Sequence, residues 1–172
     1  GRRNSEIFFI FFGREVPRDE WQAYEAEKEG LYRELSRGRL RPMKGLPDFL
    51  ASLAALALPM ALATSAPEPN VVHTLRELAL PHAFSIIVRG DEVARGKPAP
   101  DVFIAAGRRL EVAPADCLVF EDAPMGIVAA QAAGMPVVAL TTSFDAAHFA
   151  ALQPPPSITC PDFATFRERH FS

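Results

Sequence analysis

Apolar residues along this chain recur in two regimes. Up to about residue 55 they follow three- and four-residue steps or fill helix-length blocks, a helical pattern. Asn4 or Ser5 is placed to N-cap a segment that runs through Phe12 and closes at Gly13. Ile7 to Phe12 is apolar on all faces, so this helix is expected to pack under its neighbours, the alternative being partial exposure where an N-terminal segment is missing. Pro17-Arg18-Asp19-Glu20 opens a long helix over 18–36, with proline at its start and acids in its first turn. Trp21, Tyr24, Lys28, Leu31, Tyr32 and Leu35 line up as one stripe on it. A basic, proline-containing loop, 38–45, leads to a third helix over 46–55.

From residue 57 the pattern alternates. Apolar runs of strand length occur at 58–63, 84–88, 117–120 and 136–140, with a weaker one at 157–160. Helical stretches at 68–79, 100–111 and 124–133 separate them. Strands alternating with helices predict an α/β fold whose parallel sheet is covered on both faces. Gln153 to Pro156 reads as a stiff turn, and no internal repeat is present.

Composition narrows the function classes. The chain has 172 residues, 49% of them hydrophobic, which suits a domain with a real core. A net charge of −3 gives no electrostatic case for nucleic acid or an anionic membrane. The longest apolar run is far too short to span a bilayer. Cys117 and Cys160 lie in separate strand-like runs and read as buried free thiols, which favours a reducing, cytoplasmic setting. A monomer is the expected state.

Three apolar runs end in polar residues. The segment Cys117 to Phe120 leads into Glu121-Asp122, and a small-residue helix follows at once. Carboxylates at the C-terminal end of a buried strand sit where open α/β sheets bind ligands. Two hard oxygen donors suit Mg²⁺ better than Zn²⁺; the alternative is an acidic pair capping the next helix. Ala61-Leu62-Ala63 ends in Thr64-Ser65-Ala66, a turn able to hold a phosphoryl oxygen through Thr64 and the following N–H groups, or simply a strand terminus. In Gly96-Lys97-Pro98-Ala99-Pro100-Asp101 the prolines stiffen the backbone beneath Lys97, which is otherwise a solvated loop lysine. Hydroxyl, ammonium and paired acids on one sheet edge describe a Mg²⁺–phosphate site.

The words Leu62-Ala63-Thr64-Ser65, Gly96 to Asp101, and Phe120-Glu121-Asp122-Ala123 with Gly126-Ile127, Ala129-Ala130 and Ala133-Gly134-Met135 resemble motifs two to four of the haloacid dehalogenase superfamily. More narrowly they resemble the β-phosphoglucomutase-like phosphatases. The resemblance implies a Rossmann-like three-layer core over 45–172 and a small all-helical cap over 1–44. It also implies hydrolysis of a small phosphorylated metabolite, sugar phosphates foremost, through an aspartyl-phosphate. One Asp would be the nucleophile, and a second, two residues on, the general acid and then base. Thr64, with Ser65 and Ala66, would bind the transferring group, Lys97 would neutralise its charge, and Glu121 and Asp122 would hold Mg²⁺. Asp101 would orient the Lys97 loop or cap its helix. Gly1, Arg3 and Asn4 match a substrate-contacting cap loop, and Lys28 a substrate-facing position. For Lys28 a solvated role beside Glu25 and Glu29 stands equally open.

One departure matters. The family's first motif, Asp-x-Asp-Gly on the first strand, is absent: no Asp-x-Asp occurs in the sequence. A sheet without its central strand leaves ladder groups unpaired on two neighbours, so the expectation is a longer polypeptide whose upstream part supplies the nucleophile. Two rivals to the phosphatase remain: a sugar phosphomutase using the same intermediate, and a non-catalytic binding module that kept the fold. His73, His82, His148 and His170 lack ligand spacing and read as surface or helix-packing residues.

Overall fold

A computed structural model describes residues 4–171 of the chain. Helices α1 (Asn4–Phe12), α2 (Arg18–Ser36) and α3 (Leu46–Ala55) precede β1 (Ala61–Thr64). Then come α4 (Glu68–Glu77), β2 (Ile86–Arg89), α5 (Asp101–Leu110), β3 (Val119–Glu121) and α6 (Pro124–Ala132). The series closes with β4 (Val137–Leu140), α7 (Ala146–Ala150), β5 (Ile158–Cys160) and α8 (Phe163–His170). Every strand pairing is parallel, as the strand–helix alternation predicts, so within each sheet the strand C-termini share one edge.

The pairing falls into two sheets. Strand β1 pairs with β2, and β3, β4 and β5 form a separate ladder. Registers place Thr64 opposite Arg89, and Glu121 opposite Ala139. One apolar cluster nonetheless spans both sheets. It joins Val88 of β2 to Val137 and Ala139 of β4, with Val102, Phe103 and Ala106 of α5, Ile127 of α6 and Phe149 of α7. Strand β4 shows the period-two logic: Val137 and Ala139 enter this cluster, whereas Val138 and Leu140 face Phe49, Phe163 and Phe166 of α3 and α8. Helices therefore cover both faces of the three-stranded sheet.

Strand starts come later than the apolar runs suggest, and helix closure is the reason. After α3, Ala57 takes φ 52° and the Leu58 N–H returns to the Leu53 carbonyl at 3.0 Å. The chain is still finishing a helix there, and β1 begins only at Ala61. The same closure ends α4 at Ala79, α5 at Glu111 and α6 at Gly134. Three of these four left-handed positions carry a side chain, each opposed by about 1–2 kcal/mol, so glycine gave no signal there. Helices α7 and α8 also lacked a long periodic pattern. Asp145 and Asp162 start them by accepting the His148 and Thr165 N–H groups at 2.8 and 2.7 Å.

Helix α2 meets the rest of the chain through polar groups. Arg33 donates to Asn70 of α4 at 2.6 Å, the Asn70 amide donates to Glu29, and Tyr32 and Ser36 bond Thr74 and His73 at 3.1 and 2.8 Å. Glu29 and Asn70 are buried, whereas Leu31 and Leu35, from the predicted apolar stripe, are exposed. Helix α1 packs along one line only. Phe8 and Phe12 meet Tyr24, but Phe11 is 80% exposed, so packing holds on one side and partial exposure on the other. Among the described residues no helix is long and apolar enough to cross a membrane.

Phe49 is 2% exposed and touches the rings of Phe120, Phe163, Phe166 and Phe171. Replacing it by Ala removes the centre of the α3–sheet–α8 cluster and is expected to destabilise the fold by about 3–5 kcal/mol. Urea unfolding at equilibrium measures this.

Candidate active site

The site grows from the C-terminal ends of β1 and β3. Between them stands Lys97, 5% exposed in a chain whose other lysines are at the surface or near it. Its loop is closed at its base by Arg95, whose guanidinium pairs with Asp101 at 3.0 Å, and by the Ala99 N–H bonded to the Gly96 carbonyl at 2.9 Å. Asp101 thus orients the Lys97 loop, and Arg95 holds its carboxyl below the ordinary carboxylate range. The ammonium of Lys97 donates to Glu121 and to the Ala63 carbonyl at 3.4 Å, and lies 4.8 Å from the Phe103 ring centroid. One buried cation therefore links the residue before Thr64 to the residue before Asp122.

Glu121 is held from every side. One carboxylate oxygen accepts from Lys97, and the other accepts the Asp122 and Ala123 N–H groups at 3.0 and 3.1 Å. The carboxylate lies over Gly126 in the first turn of α6, where a Cβ would stand 2.0 Å from Glu121 Oε1. A glycine is required there because the acid occupies the space of a side chain. Asp122 is half-buried, and its Oδ2 accepts the Thr142 hydroxyl at 2.8 Å. Thr142 lies just past β4; its spacing gave no hint of a role, and the sequence reading missed it.

The Thr64–Ala66 turn closes the other flank. Thr64 Oγ1 accepts the Ala66 N–H at 3.0 Å. Gly90, just past β2, backs this turn: a Cβ there would lie 3.3 Å from Ser65 Cα. Arg109 holds Glu92 at 2.7 Å, and Glu92 in turn accepts the Arg89 N–H at 3.1 Å, which fixes the segment around Gly90. That Arg109 bond, first among its surroundings, keeps the Glu92 carboxyl below the ordinary range.

Thr64, Ser65, Ala66, Lys97, Glu121 and Asp122 thus come together at one edge. Lys28 is exposed on α2 with its ammonium 2.5 Å from Glu29. Gly1 and Arg3 fall outside the described residues, and Asn4 opens α1. The thiols of Cys117, partly buried, and Cys160, buried, are free, and burial pushes both up. Glu121 and Asp122 offer only oxygen, which fits a hard cation held by one or two carboxylates plus phosphate and water. Among the described residues no third acid, His or Cys joins them.

Comparison with known proteins gives a consistent picture. A family model described as haloacid dehalogenase-like hydrolase matches residues 11–140. A phosphorylated carbohydrates phosphatase of Thermotoga maritima is 36% identical over 109 residues, which cover 63% of this chain and 49% of that protein. A fructose-1-phosphate phosphatase of Escherichia coli is 45% identical over 80 residues, 46% of this chain and 43% of that protein. The chain therefore spans less than half the length of either relative. A crystal structure of a HAD hydrolase, family IA, variant 3, from Entamoeba histolytica superposes with a TM-score of 0.86 at 26% identity. That match covers 96% of this chain and 75% of the other.

Two outcomes follow from this geometry. Gly126→Ala drives a methyl into the Glu121 carboxylate and disturbs its pairing with buried Lys97, so stability falls by about 1–3 kcal/mol in a denaturant titration. Glu92, Asp101 and Asp162 are all depressed, Asp162 chiefly by the Thr165 N–H. Their stabilisation is complete above the ordinary carboxylate pKa and is lost as pH falls through the folded values. The melting temperature should hold from pH 7 to 5 and drop below about pH 4. Asp162→Asn, which keeps a cap acceptor, should flatten part of that drop.

Proposed function

The chain belongs to the haloacid dehalogenase-like hydrolases, and from that premise we propose that it forms the phosphate-handling side of a phosphatase for small phosphorylated metabolites, sugar phosphates foremost. The observation that carries this reading is the bridge made by Lys97 between the Thr64 turn and the Glu121-Asp122 pair. A hydroxyl, a cation and two carboxylates meet there with little freedom to rearrange, as electrostatic stabilisation of a transferring phosphoryl group requires. The two relatives named above, both phosphatases of phosphorylated carbohydrates by name, support the substrate class.

In this reading the nucleophile is an aspartate on a strand outside residues 1–172, seated between β1 and β3. Among the described residues β1 pairs only with β2, and β3 only with β4, although one core joins them. A carboxylate presented between them would lie beside the Lys97 ammonium. Its oxygen attacks phosphorus and the phosphorus–oxygen ester bond breaks as a second aspartate two residues on protonates the departing alcohol; water, giving its proton back to that aspartate, then attacks phosphorus, releases phosphate and restores the carboxylate. Thr64 Oγ1 accepts the Ala66 N–H and keeps its own O–H to hydrogen-bond a phosphoryl oxygen. Lys97 balances charge as the equatorial oxygens become more negative. Asp122 and Glu121 would hold Mg²⁺, which when bound neutralises phosphoryl charge and orients the group. Helices α1 and α2 would serve as part of the cap.

Asp122→Asn in the full-length gene product removes a charged oxygen donor and leaves the core intact. Phosphate release from fructose 1-phosphate and related esters should fall at least about 100-fold, with an unchanged melting temperature without metal. Activity near the parental level would overturn the assignment. Accumulation of an isomerised sugar phosphate in place of free phosphate would identify a mutase.

A further inference from the structure

We propose that Thr142 is a positioning residue for the carboxylate of Asp122; this rests on the reading of Asp122 as a Mg²⁺ ligand. Asp122 lies one residue beyond the last ladder position of β3, where sheet pairing no longer restrains it. Its backbone is tethered by its N–H to Glu121, but its side chain is a separate matter. That side chain is held by the Thr142 hydroxyl, which donates to Oδ2 at 2.8 Å.

Thr142 has a firm base for this. The Thr141 N–H continues the β4–β5 ladder to the Cys160 carbonyl at 3.0 Å, and the Thr142 N–H turns back to the Leu140 carbonyl at 2.9 Å. Leu140 and Cys160 are themselves buried in the second apolar cluster. The donor is thus fixed by β4 and β5, while the acceptor comes from the end of β3. A hydroxyl engaging Oδ2 fixes carboxylate rotation and leaves Oδ1 for a cation. Groups that orient a metal ligand in this way typically change metal affinity or activity 10- to 100-fold when removed, so about 10-fold is expected here, where the bond is exposed.

The test compares Thr142→Val, which keeps the shape and removes the donor, with Thr142→Ser, which keeps the donor. Both are made in the full-length gene product beside Asp122→Asn. Binding of Mn²⁺, followed by the loss of its free-ion electron paramagnetic resonance signal, reports metal affinity without turnover. Expected is an affinity about 10-fold weaker for T142V, within about 2-fold of parent for T142S, and equal metal-free melting temperatures for all. At saturating metal the KM for substrate should be unchanged. Parental Mn²⁺ affinity in T142V while D122N loses binding would overturn the role of Thr142 and leave the phosphatase reading standing. Equal losses in T142S and T142V would also overturn it, because the hydroxyl would not be the operative group. Parental affinity in D122N would remove both the metal assignment and the proposal built on it.

Discussion

The buried ion pair of Lys97 and Glu121 is the constraint around which the site is arranged. An ammonium taken out of water is tolerated only where a carboxylate and further acceptors replace its hydration. Here Glu121, the Ala63 carbonyl and the Phe103 ring supply that replacement. Much else follows from keeping it. The Arg95–Asp101 pair closes the loop beneath Lys97, Gly126 vacates room for the acid, and two N–H groups at the entry to α6 fill its second oxygen. A pair of this kind specifies geometry more than it adds stability. Any group entering beside this pair meets a cation already in place.

The same molecule uses a different chemistry where α2 meets α4. Glu29, Asn70 and Arg33 form a chain of polar contacts, and Leu31 and Leu35 face water. Hydrogen bonds at such a seam can be exchanged for water at modest free-energy difference, unlike the aromatic packing around Phe49. The three-layer core is therefore the fixed body, and α2 sits on it through contacts that fix orientation with little apolar burial. Asn70 lies early in α4, the helix that follows the Thr64 turn.

Sequence pattern made most of the architecture legible, and the failures have physical causes. The bounds of helices α1, α2 and α3 follow the pattern closely, with Pro17 before α2 and Pro47 in the first turn of α3, although neither of these two has a side-chain cap. Strand β4 sits within its apolar run, whereas β3 starts two residues into its run, after the exposed Leu118, and ends one residue past it at Glu121. Ala57, Ala79 and Glu111 hide helix ends because each takes a glycine-like conformation that no local rule reveals. The apolar stripe on α2 misleads because periodicity reports a face, not what covers it. At the site, motif words named Thr64, Lys97, Glu121 and Asp122. Thr142 and Gly126 act through contacts made only when β3, β4 and α6 are assembled. Spacing along the chain carries no record of such contacts.

Parallel pairing explains why so short a set of residues suffices. Because strands run the same way within each sheet, and Lys97 joins the ends of β1 and β3, polar residues following β1, β2, β3 and β4 emerge at one edge. The Thr64 turn follows β1, Gly90 behind it follows β2, Asp122 follows β3, and Thr142 follows β4. Each strand adds one part, and the strand interior stays apolar enough to hold that part still. The division between sheets then has a chemical consequence. Lys97 is the only polar side chain bonded to both the β1 and the β3 termini among the described contacts, so charge at the gap is set by one residue. A carboxylate placed in that gap would share the ammonium with Glu121, and the approach of a phosphoryl group would redistribute that single positive charge.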